Sequence, residues 1–223
     1  METLATSKVS IVLSANYSIM EVQERIKSKA DELFRQYGIR SVTMDEIASQ
    51  LGMSKKTIYQ YYDDKNKLVD AVTREEIGFS QERCQSDAAA AENAIDEIFR
   101  VMEFIEVMFR NMNPKMLHDL EKYHPHCYKK FLDHKNKFIF EIIRQNIERG
   151  IAEGLYRPEI NVEIMTRYRL ETMMIAFNTN LFSPSHFSLL AVEQEILEHF
   201  LYGLATLKGY KLILKYKKQR LNK

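Results

Sequence analysis

Residues 43–68 read TMDEIASQLGMSKKTIYQYYDDKNKL and carry the signals of two short helices joined by a tight turn. Thr43 and Glu46 form a capping box, in which each side chain can satisfy a free backbone amide at the start of a helix. Gly52 stands where a left-handed residue is expected to close that helix. Two helices this short and this close must cross steeply, and Ala48 supplies the small residue that a close crossing requires.

The spacing of apolar residues in this stretch is that of a helix-turn-helix. A small residue, a glycine four positions later and an aliphatic residue six positions after that stand at Ala48, Gly52 and Ile58. Ser54 is expected to cap the second helix. Upstream, residues 20–37 show apolar residues at helical spacing and are followed by glycine, which predicts a preceding helix. The small core is expected to contain Val22, Ile26, Ala30, Leu33, Phe34, Ile47, Leu51, Met53 and Ile58.

The outward face of the second helix contains no acid and is formed by Lys55, Lys56, Thr57, Tyr59, Gln60 and Tyr61. Cationic, hydroxyl and amide groups of this kind suit DNA phosphates and base edges, whereas an ordinary solvated helix mixes its charges. Asp64 is expected to cap the next helix, with Lys65 directed outward at its first turn. Tyr62 is expected to close the small core, and Tyr59 to lie outside it.

This stretch resembles the DNA-binding domain of TetR-family transcriptional regulators over about residues 20–68. The resemblance implies a three-helix DNA-binding domain on a larger helical domain that dimerises and binds a small effector. It implies phosphate contacts for Thr43 and for Lys65. The family often has a small residue at position 56, so Lys56 adds either a base or a phosphate contact, and Gln60 either reads a base or faces solvent. The expected DNA-binding residues are Thr43, Lys55, Lys56, Thr57, Tyr59, Gln60, Tyr61 and Lys65.

Composition favours a helical chain with a substantial core. The 223 residues contain only seven glycines and four prolines, fewer than turn-rich β folds need, while 45% are apolar and 28% charged. The net charge of +1 excludes a globally basic coat but not a local basic patch. Cys84 and Cys127 are too few for a disulfide scaffold or a zinc finger. Because no apolar run reaches the ~18 residues of a membrane span, we expect a reduced, cytoplasmic protein without a membrane partner.

The rest of the chain is expected to be helical as well. Apolar residues recur at helical spacing over 88–112, 126–153 and 188–215, and no segment alternates with period two. We therefore expect an all-α fold of about nine helices. By the resemblance, helices over 161–182 and 188–208 would form the interface of a homodimer. Two-fold symmetry would then place two recognition helices in successive major grooves, about 34–36 Å apart.

The expected organisation has three parts: a flexible tail over 1–18, a helix-turn-helix domain over 19–66, and a ligand-binding and dimerisation domain over 67–223. The larger domain is rich in methionine and aromatic residues, with 11 Met, 12 Phe and 12 Tyr. Such side chains either line an adaptable pocket for a largely apolar effector or simply pack a core. The effector-binding candidates are Met108, Met112, Phe138, Met173 and Phe177.

Two other features allow rival interpretations. Glu121 and His124 have the spacing of a di-iron bundle ligand pair, close to three further histidines and a cysteine: His118, His126, His134 and Cys127. The chain lacks the second copy that such a site needs, so we expect no metal site, no cofactor and no catalytic residue. The basic stretch from Lys208 onward is either a solvated helix end or an auxiliary nucleic-acid contact.

The function expected from the sequence is that of a DNA-binding transcriptional regulator. By the resemblance, it is a repressor that a small apolar effector releases from a palindromic operator. The alternatives are an all-helical protein-interaction module and a metal-binding helical protein. The absence of acid from Lys55 to Tyr61 argues against the first, and the missing second ligand pair argues against the other.

Overall fold

The computed structural model describes residues 21–221, and the tail predicted over 1–18 lies outside the described residues. Its contacts divide the chain into two compact units, the first ending at Thr73 and the second beginning at Arg74. Within residues 21–221 there is no β-strand, only an isolated bridge between Tyr156 and Ala205. No helix in this range is long and apolar enough to cross a membrane. The all-α prediction is confirmed.

The first unit is built from three helices and the beginning of a fourth. Apolar side chains predicted on one side of the first helix, including Ile26, Leu33 and Phe34, are buried with Leu68 and Val72. This core holds the short helices that follow. In chain order the helices are α1 (described over 21–37), α2 (Met44–Leu51), α3 (Lys55–Tyr61) and α4 (Lys65–Ala90), which continues past Thr73.

The second unit contains seven further helices. They are α5 (Ala94–Phe109), α6 (Lys115–Tyr123), α7 (Pro125–Asp133), α8 (Phe140–Ala152), α9 (Val162–Ile175), α10 (Leu189–Leu204) and α11 (Leu207–Leu221). A π-helical segment, His134–Ile139, joins α7 to α8 and so covers the predicted helical stretch 126–153. Residues 21–221 therefore form eleven α-helices rather than about nine.

Side-chain caps explain most of the helix ends that the apolar spacing did not predict. The stretch 88–112 is interrupted at Asn93, whose backbone is extended and whose Oδ1 accepts from the amides of Ile95 and Asp96 at 3.1 and 3.0 Å. The helix predicted over 161–182 ends at Ile175, because Asn178 Oδ1 accepts from the amides of residues 180 and 181 and forms a turn instead.

The helix predicted over 188–208 ends at Leu204, and the longer apolar stretch 188–215 divides there. The backbone of Ala205 is extended, and the amide of Thr206 donates to the carbonyl of Leu155 at 2.9 Å. The backbone that would have continued α10 therefore pairs with the loop after α8, and α11 starts afresh at Leu207.

Tyr156, in the loop after α8, is completely buried and connects helices of the second unit. The Tyr156 hydroxyl lies 3.3 Å from the carbonyl of Ala94 and 3.2 Å from Asn146 Oδ1, and Asn146 Nδ2 donates to the same carbonyl at 2.9 Å. This network joins the start of α5 to α8. It is surrounded by the main apolar core of the unit, which includes Ile95, Ile98, Phe99, Ile147, Leu197, Leu201, Leu204 and Ile213.

Two glycines permit close approaches in this region. A Cβ added at Gly150 would lie 2.0 Å from the Tyr156 ring, so the ring occupies the space that any side chain would need. A Cβ added at Gly209 would lie 2.2 Å from the backbone oxygen of Leu155. The loop can therefore pack against both α8 and α11 only because these two positions lack a side chain.

Candidate nucleic-acid interface

The turn between α2 and α3 has the caps predicted for it. Thr43 Oγ1 accepts from the amide of Glu46 at 3.1 Å, and Ser54 Oγ accepts from the amide of Thr57 at 3.0 Å. Gly52 adopts a left-handed conformation, with φ 64° and ψ 27°, and closes α2. Because the starts of both helices and the end of α2 are capped locally, the two short helices are held in a defined crossing.

The predicted core beneath α3 is largely confirmed. Ile47, Ala48 and Ile58 are buried, and so is Tyr62, as expected for the residue that closes this core. Leu51 and Met53 are half-buried at its edge. The burial of Ile58 fixes which side of α3 faces inward, so the opposite side is presented outward.

That outward side contains most of the predicted DNA-binding residues. Lys55, Lys56, Tyr59 and Gln60 are exposed, as is Thr43 at the start of α2. Thr57 and Tyr61 are half-buried, and the hydroxyl of Thr57 lies 2.8 Å from that of Ser54. The exposed groups are two ammonium groups, a phenol and a carboxamide, which together can contact phosphates and base edges.

Asp45 joins this surface, although the sequence analysis assigned it no role there. Lys55 Nζ lies 2.8 Å from Asp45 Oδ1, and the hydrogen bond to this carboxylate raises the pKa of Lys55. Lys55 Nζ also lies 5.9 Å from the centroid of the Tyr59 ring. Because α2 crosses α3 steeply, Asp45 on α2 comes within reach of Lys55 on α3. The sequence does show an acid in the first turn of α2, but its pairing with Lys55 depends on how the two helices cross and could not be predicted from the sequence.

Lys65 is not directed outward, and that part of the prediction is wrong. Its Nζ donates to the carbonyls of Ile39 and Val42 and lies 5.8 Å from the centroid of the Phe34 ring. The carbonyls between α1 and α2 lack helical partners, and the lysine satisfies them. Asp64 caps α4 as expected, since its Oδ1 accepts from the amide of Lys67 at 2.9 Å. Phosphate binding by Lys65 stays a prediction.

The predicted effector residues are all half-buried in the second unit, but they do not form one group. Met112 and Phe177 pack on a small apolar cluster of Ala176, Leu189 and Val192. The Phe177 ring lies 5.5 Å from that of Phe109. Outside this cluster are Met108, Met173 and Phe138, the last of which stacks on His134.

The second unit also contains a charged cleft that the sequence analysis did not predict. Its volume is about 480 Å³, and it lies between α5 and α11. Its lining residues are Asp96, Phe99, Arg100, Glu103, Tyr216, Gln219 and Arg220. In the described part of the chain, no three His, Cys, Asp or Glu side chains come together in a way that could hold a metal ion.

Comparison with known proteins agrees with the helix-turn-helix geometry. Residues 26–72 match the family described as bacterial regulatory proteins, tetR family. The transcriptional regulator YvaF of Bacillus subtilis is 30% identical over 105 residues, covering 46% of this chain and 54% of its own length. The transcriptional repressor KstR2 of Mycolicibacterium smegmatis is 21% identical over 163 residues, covering 69% and 77%.

A solved structure extends the similarity to nearly the whole fold. A transcriptional regulator from Saccharomonospora viridis, in complex with choline, superposes with a TM-score of 0.67 at 16% identity, covering 84% of this chain and 99% of its own. YvaF and KstR2 are transcriptional regulators, and the fold is similar to that of the Saccharomonospora viridis regulator. The chain therefore contains a helix-turn-helix domain similar to that of the tetR family of bacterial regulatory proteins, and its relatives are transcriptional regulators.

Proposed function

We propose that the protein is a homodimeric repressor that binds a palindromic operator through α3 and is released by a small, largely apolar effector. The observation that carries the DNA-binding part is the exposed, acid-free face of α3, with Lys55, Lys56, Tyr59 and Gln60 presented around the buried Ile58. The description of KstR2 as a repressor supports the direction of regulation.

The dimer is supported by an exposed apolar face on α9. Ile164, Tyr168 and Ile175 are exposed, and positions 164, 168 and 175 lie on one side of an α-helix. The other side of α9 is buried, for example at Leu170. Exposed apolar residues aligned in this way are typical of a surface that another molecule covers. A second copy of α9, with α10 beside it, would cover them.

The effector is expected at the apolar cluster around Ala176, Leu189 and Val192. Phe109, Met112 and Phe177 surround it, and methionine and aromatic side chains can repack around ligands of different shape. The choline bound by the Saccharomonospora viridis regulator supports an effector of small size. Effector binding would favour a dimer with a different spacing of recognition helices, and operator affinity would fall by the coupling free energy.

The DNA-binding face can be tested before the operator is known. Fluorescence anisotropy with a mixed-sequence duplex at low salt measures non-specific affinity, which depends on phosphate contacts. The variant Lys55→Gln/Lys56→Gln should bind at least about tenfold more weakly than the unaltered protein. Lys115→Gln/Lys129→Gln removes the same charge from exposed positions on α6 and α7 and should change affinity less than about twofold. Equal losses in both variants would contradict the proposal.

The dimer face can be tested by sedimentation velocity. Ile164→Glu introduces a charge at the exposed apolar face of α9 and should convert the dimer to a monomer. Val107→Glu places the same charge at an exposed apolar residue on α5 and should leave the dimer intact. A monomeric unaltered protein, or an Ile164→Glu variant that remains a dimer, would contradict this interface.

A further inference from the structure

The helix α11 has a largely exposed side, along which Tyr210 contacts the Tyr202 ring of α10 at a centroid distance of 5.6 Å. At about 100° per residue, Leu207, Tyr210 and Leu214 form one band along this side, with 71%, 46% and 46% of their surface exposed. Lys211, Lys215 and Lys218 form a second band beside it, and all three are exposed. The opposite side of α11, including the buried Ile213, packs into the core of the second unit with α5.

The charges on α11 are neutralised only away from this side. No acid occurs in Leu207–Leu221. Lys217 pairs with Glu198, and Arg220 lies 3.7 Å from Glu103. In contrast, Lys211, Lys215 and Lys218 form no ion pair with any residue between 21 and 221. We define the apolar band and these three lysines together as the α11 face.

We propose that the α11 face docks on an anionic lipid surface. Leucine and tyrosine side chains beside a lysine band are typical of helices that lie at the boundary between lipid headgroups and acyl chains. Leu207 and Leu214 would enter this boundary, Tyr210 would sit at headgroup level, and the three lysines would contact lipid phosphates. Both the exposed apolar band and the unneutralised charge are then explained by one occupant.

Other occupants explain only part of the α11 face. DNA phosphates would neutralise the lysines but would leave Leu207 and Leu214 without an apolar partner. A second copy of α11 would cover the leucines but would leave the lysines without a counter-charge, because Leu207–Leu221 contains no acid. The expectation of no membrane partner rested on the lack of a spanning segment, and a helix that lies on a surface needs no such segment.

The test is flotation of the full-length protein with lipid vesicles. Vesicles of phosphatidylcholine containing about a quarter phosphatidylglycerol should bind the protein, and pure phosphatidylcholine vesicles should bind it much more weakly. Each lysine near an anionic surface multiplies partitioning by about fivefold, so Lys211→Gln/Lys215→Gln/Lys218→Gln should lower it by about 100-fold. Leu207→Gln/Leu214→Gln should lower it by at least about tenfold.

A matched control removes the same charge elsewhere. Lys115→Gln/Lys122→Gln/Lys129→Gln alters exposed positions on α6 and α7 and should leave vesicle binding within about twofold. Circular dichroism would establish that each variant is folded. Equal binding to neutral and anionic vesicles, no vesicle binding, or equal losses in the two triple variants would overturn the proposal.

Two further readouts identify the competing occupants. If the α11 variant loses affinity for a mixed-sequence duplex but vesicles never bind, α11 is a DNA contact and the proposal is wrong. If the leucine variant dissociates the dimer without vesicle binding, a second copy covers the α11 face, and the proposal is equally wrong. Neither outcome bears on α3, which the Lys55→Gln/Lys56→Gln variant tests separately.

Discussion

Lys55 Nζ on α3 lies 2.8 Å from Asp45 Oδ1 on α2, so a lysine of the proposed recognition face is paired with an acid in the absence of DNA. Both side chains are exposed, and their contact is therefore readily exchanged for water or phosphate. An operator phosphate that binds Lys55 must displace this carboxylate and must also approach its negative charge.

Replacing Asp45 by asparagine should therefore strengthen DNA binding. Asp45→Asn removes the competing charge, while the Thr43 cap of α2 remains in place. We expect affinity for a mixed-sequence duplex at low salt to rise about two- to fivefold, and the gain to shrink as salt screens the charge. Asp133→Asn on α7 is the matched control. An unchanged or weaker affinity of Asp45→Asn would indicate that Lys55 does not contact DNA.

Truncation of the exposed recognition residues should weaken operator binding without unfolding the protein. Tyr59→Ala or Lys55→Ala should lower affinity for an enriched duplex by about five- to 150-fold, the range typical of a single base or phosphate contact. Thermal unfolding should be unchanged, because both side chains are exposed. A gel-shift titration measures the loss, with Lys129→Ala as control. Unchanged affinity of both variants would reject this face of α3.

Operator binding should depend steeply on salt. A dimer that neutralises several phosphates releases their counterions, so the logarithm of the association constant should fall against the logarithm of salt concentration with a slope of about −4 to −8. Lys56→Gln should reduce this slope if Lys56 contacts phosphate, and leave it unchanged if Lys56 reads a base. Anisotropy titrations at several salt concentrations measure both slopes. A flat response would contradict phosphate-dependent binding.

The close approaches at Gly150 and Gly209 should make both positions intolerant of alanine. A Cβ at Gly150 would overlap the Tyr156 ring, and one at Gly209 would overlap the carbonyl of Leu155. Each substitution should destabilise the fold by about 1–3 kcal/mol, or roughly 2–12 °C in Tm. A Cβ added at Gly78 in α4 would have no neighbouring atom within 4 Å, so Gly78→Ala should leave Tm unchanged or slightly higher. Differential scanning calorimetry measures the three Tm values. Equal Tm values for all three variants would contradict the close packing at Gly150 and Gly209.

His134 should make stability fall in mild acid. Burial lowers the pKa of His134, whose ring nitrogens lie 3.5 and 3.4 Å from Gln81 Nε2 and Ser80 Oγ. Because the unfolded-state pKa is about 6.5, protonation favours unfolding, and this contribution to stability is lost as pH falls from about 6.5 through the lower folded-state value.

The pH effect can be isolated by comparing variants. Between pH 7 and pH 5, the Tm of the unaltered protein should decrease more than the Tm of His134→Gln. The variant His199→Gln, at an exposed position, should show the same decrease in Tm as the unaltered protein. Thermal unfolding monitored by circular dichroism gives the three curves. Parallel curves for all three proteins would show that His134 is not responsible.

The features that could be predicted from sequence are those that local rules determine. The caps at Thr43 and Ser54 and the left-handed Gly52 depend on neighbours within a few residues, so α2 and α3 were placed correctly. The burial of Tyr62 follows from the helical spacing around it. The exposed side of α3 could then be inferred from the position of Ile58 alone.

The features that were missed depend on contacts between distant segments. Lys65 is directed inward because unpaired carbonyls at Ile39 and Val42 come within its reach only after α1 and α2 fold. The pairing of Asp45 with Lys55 likewise requires the crossing of two helices. Asn93 divides a stretch with continuous helical spacing, because capping interrupts a helix without changing the apolar pattern.

The central claim, a dimer that reads a palindromic operator through α3, is tested most directly by selecting bound sequences from a random pool of double-stranded DNA with the purified protein. We predict enrichment of a palindrome whose half-sites lie one helical turn or more apart. We also predict loss of that enrichment with Tyr59→Ala. No enrichment at moderate salt, or an enriched motif without two-fold symmetry, would contradict the claim.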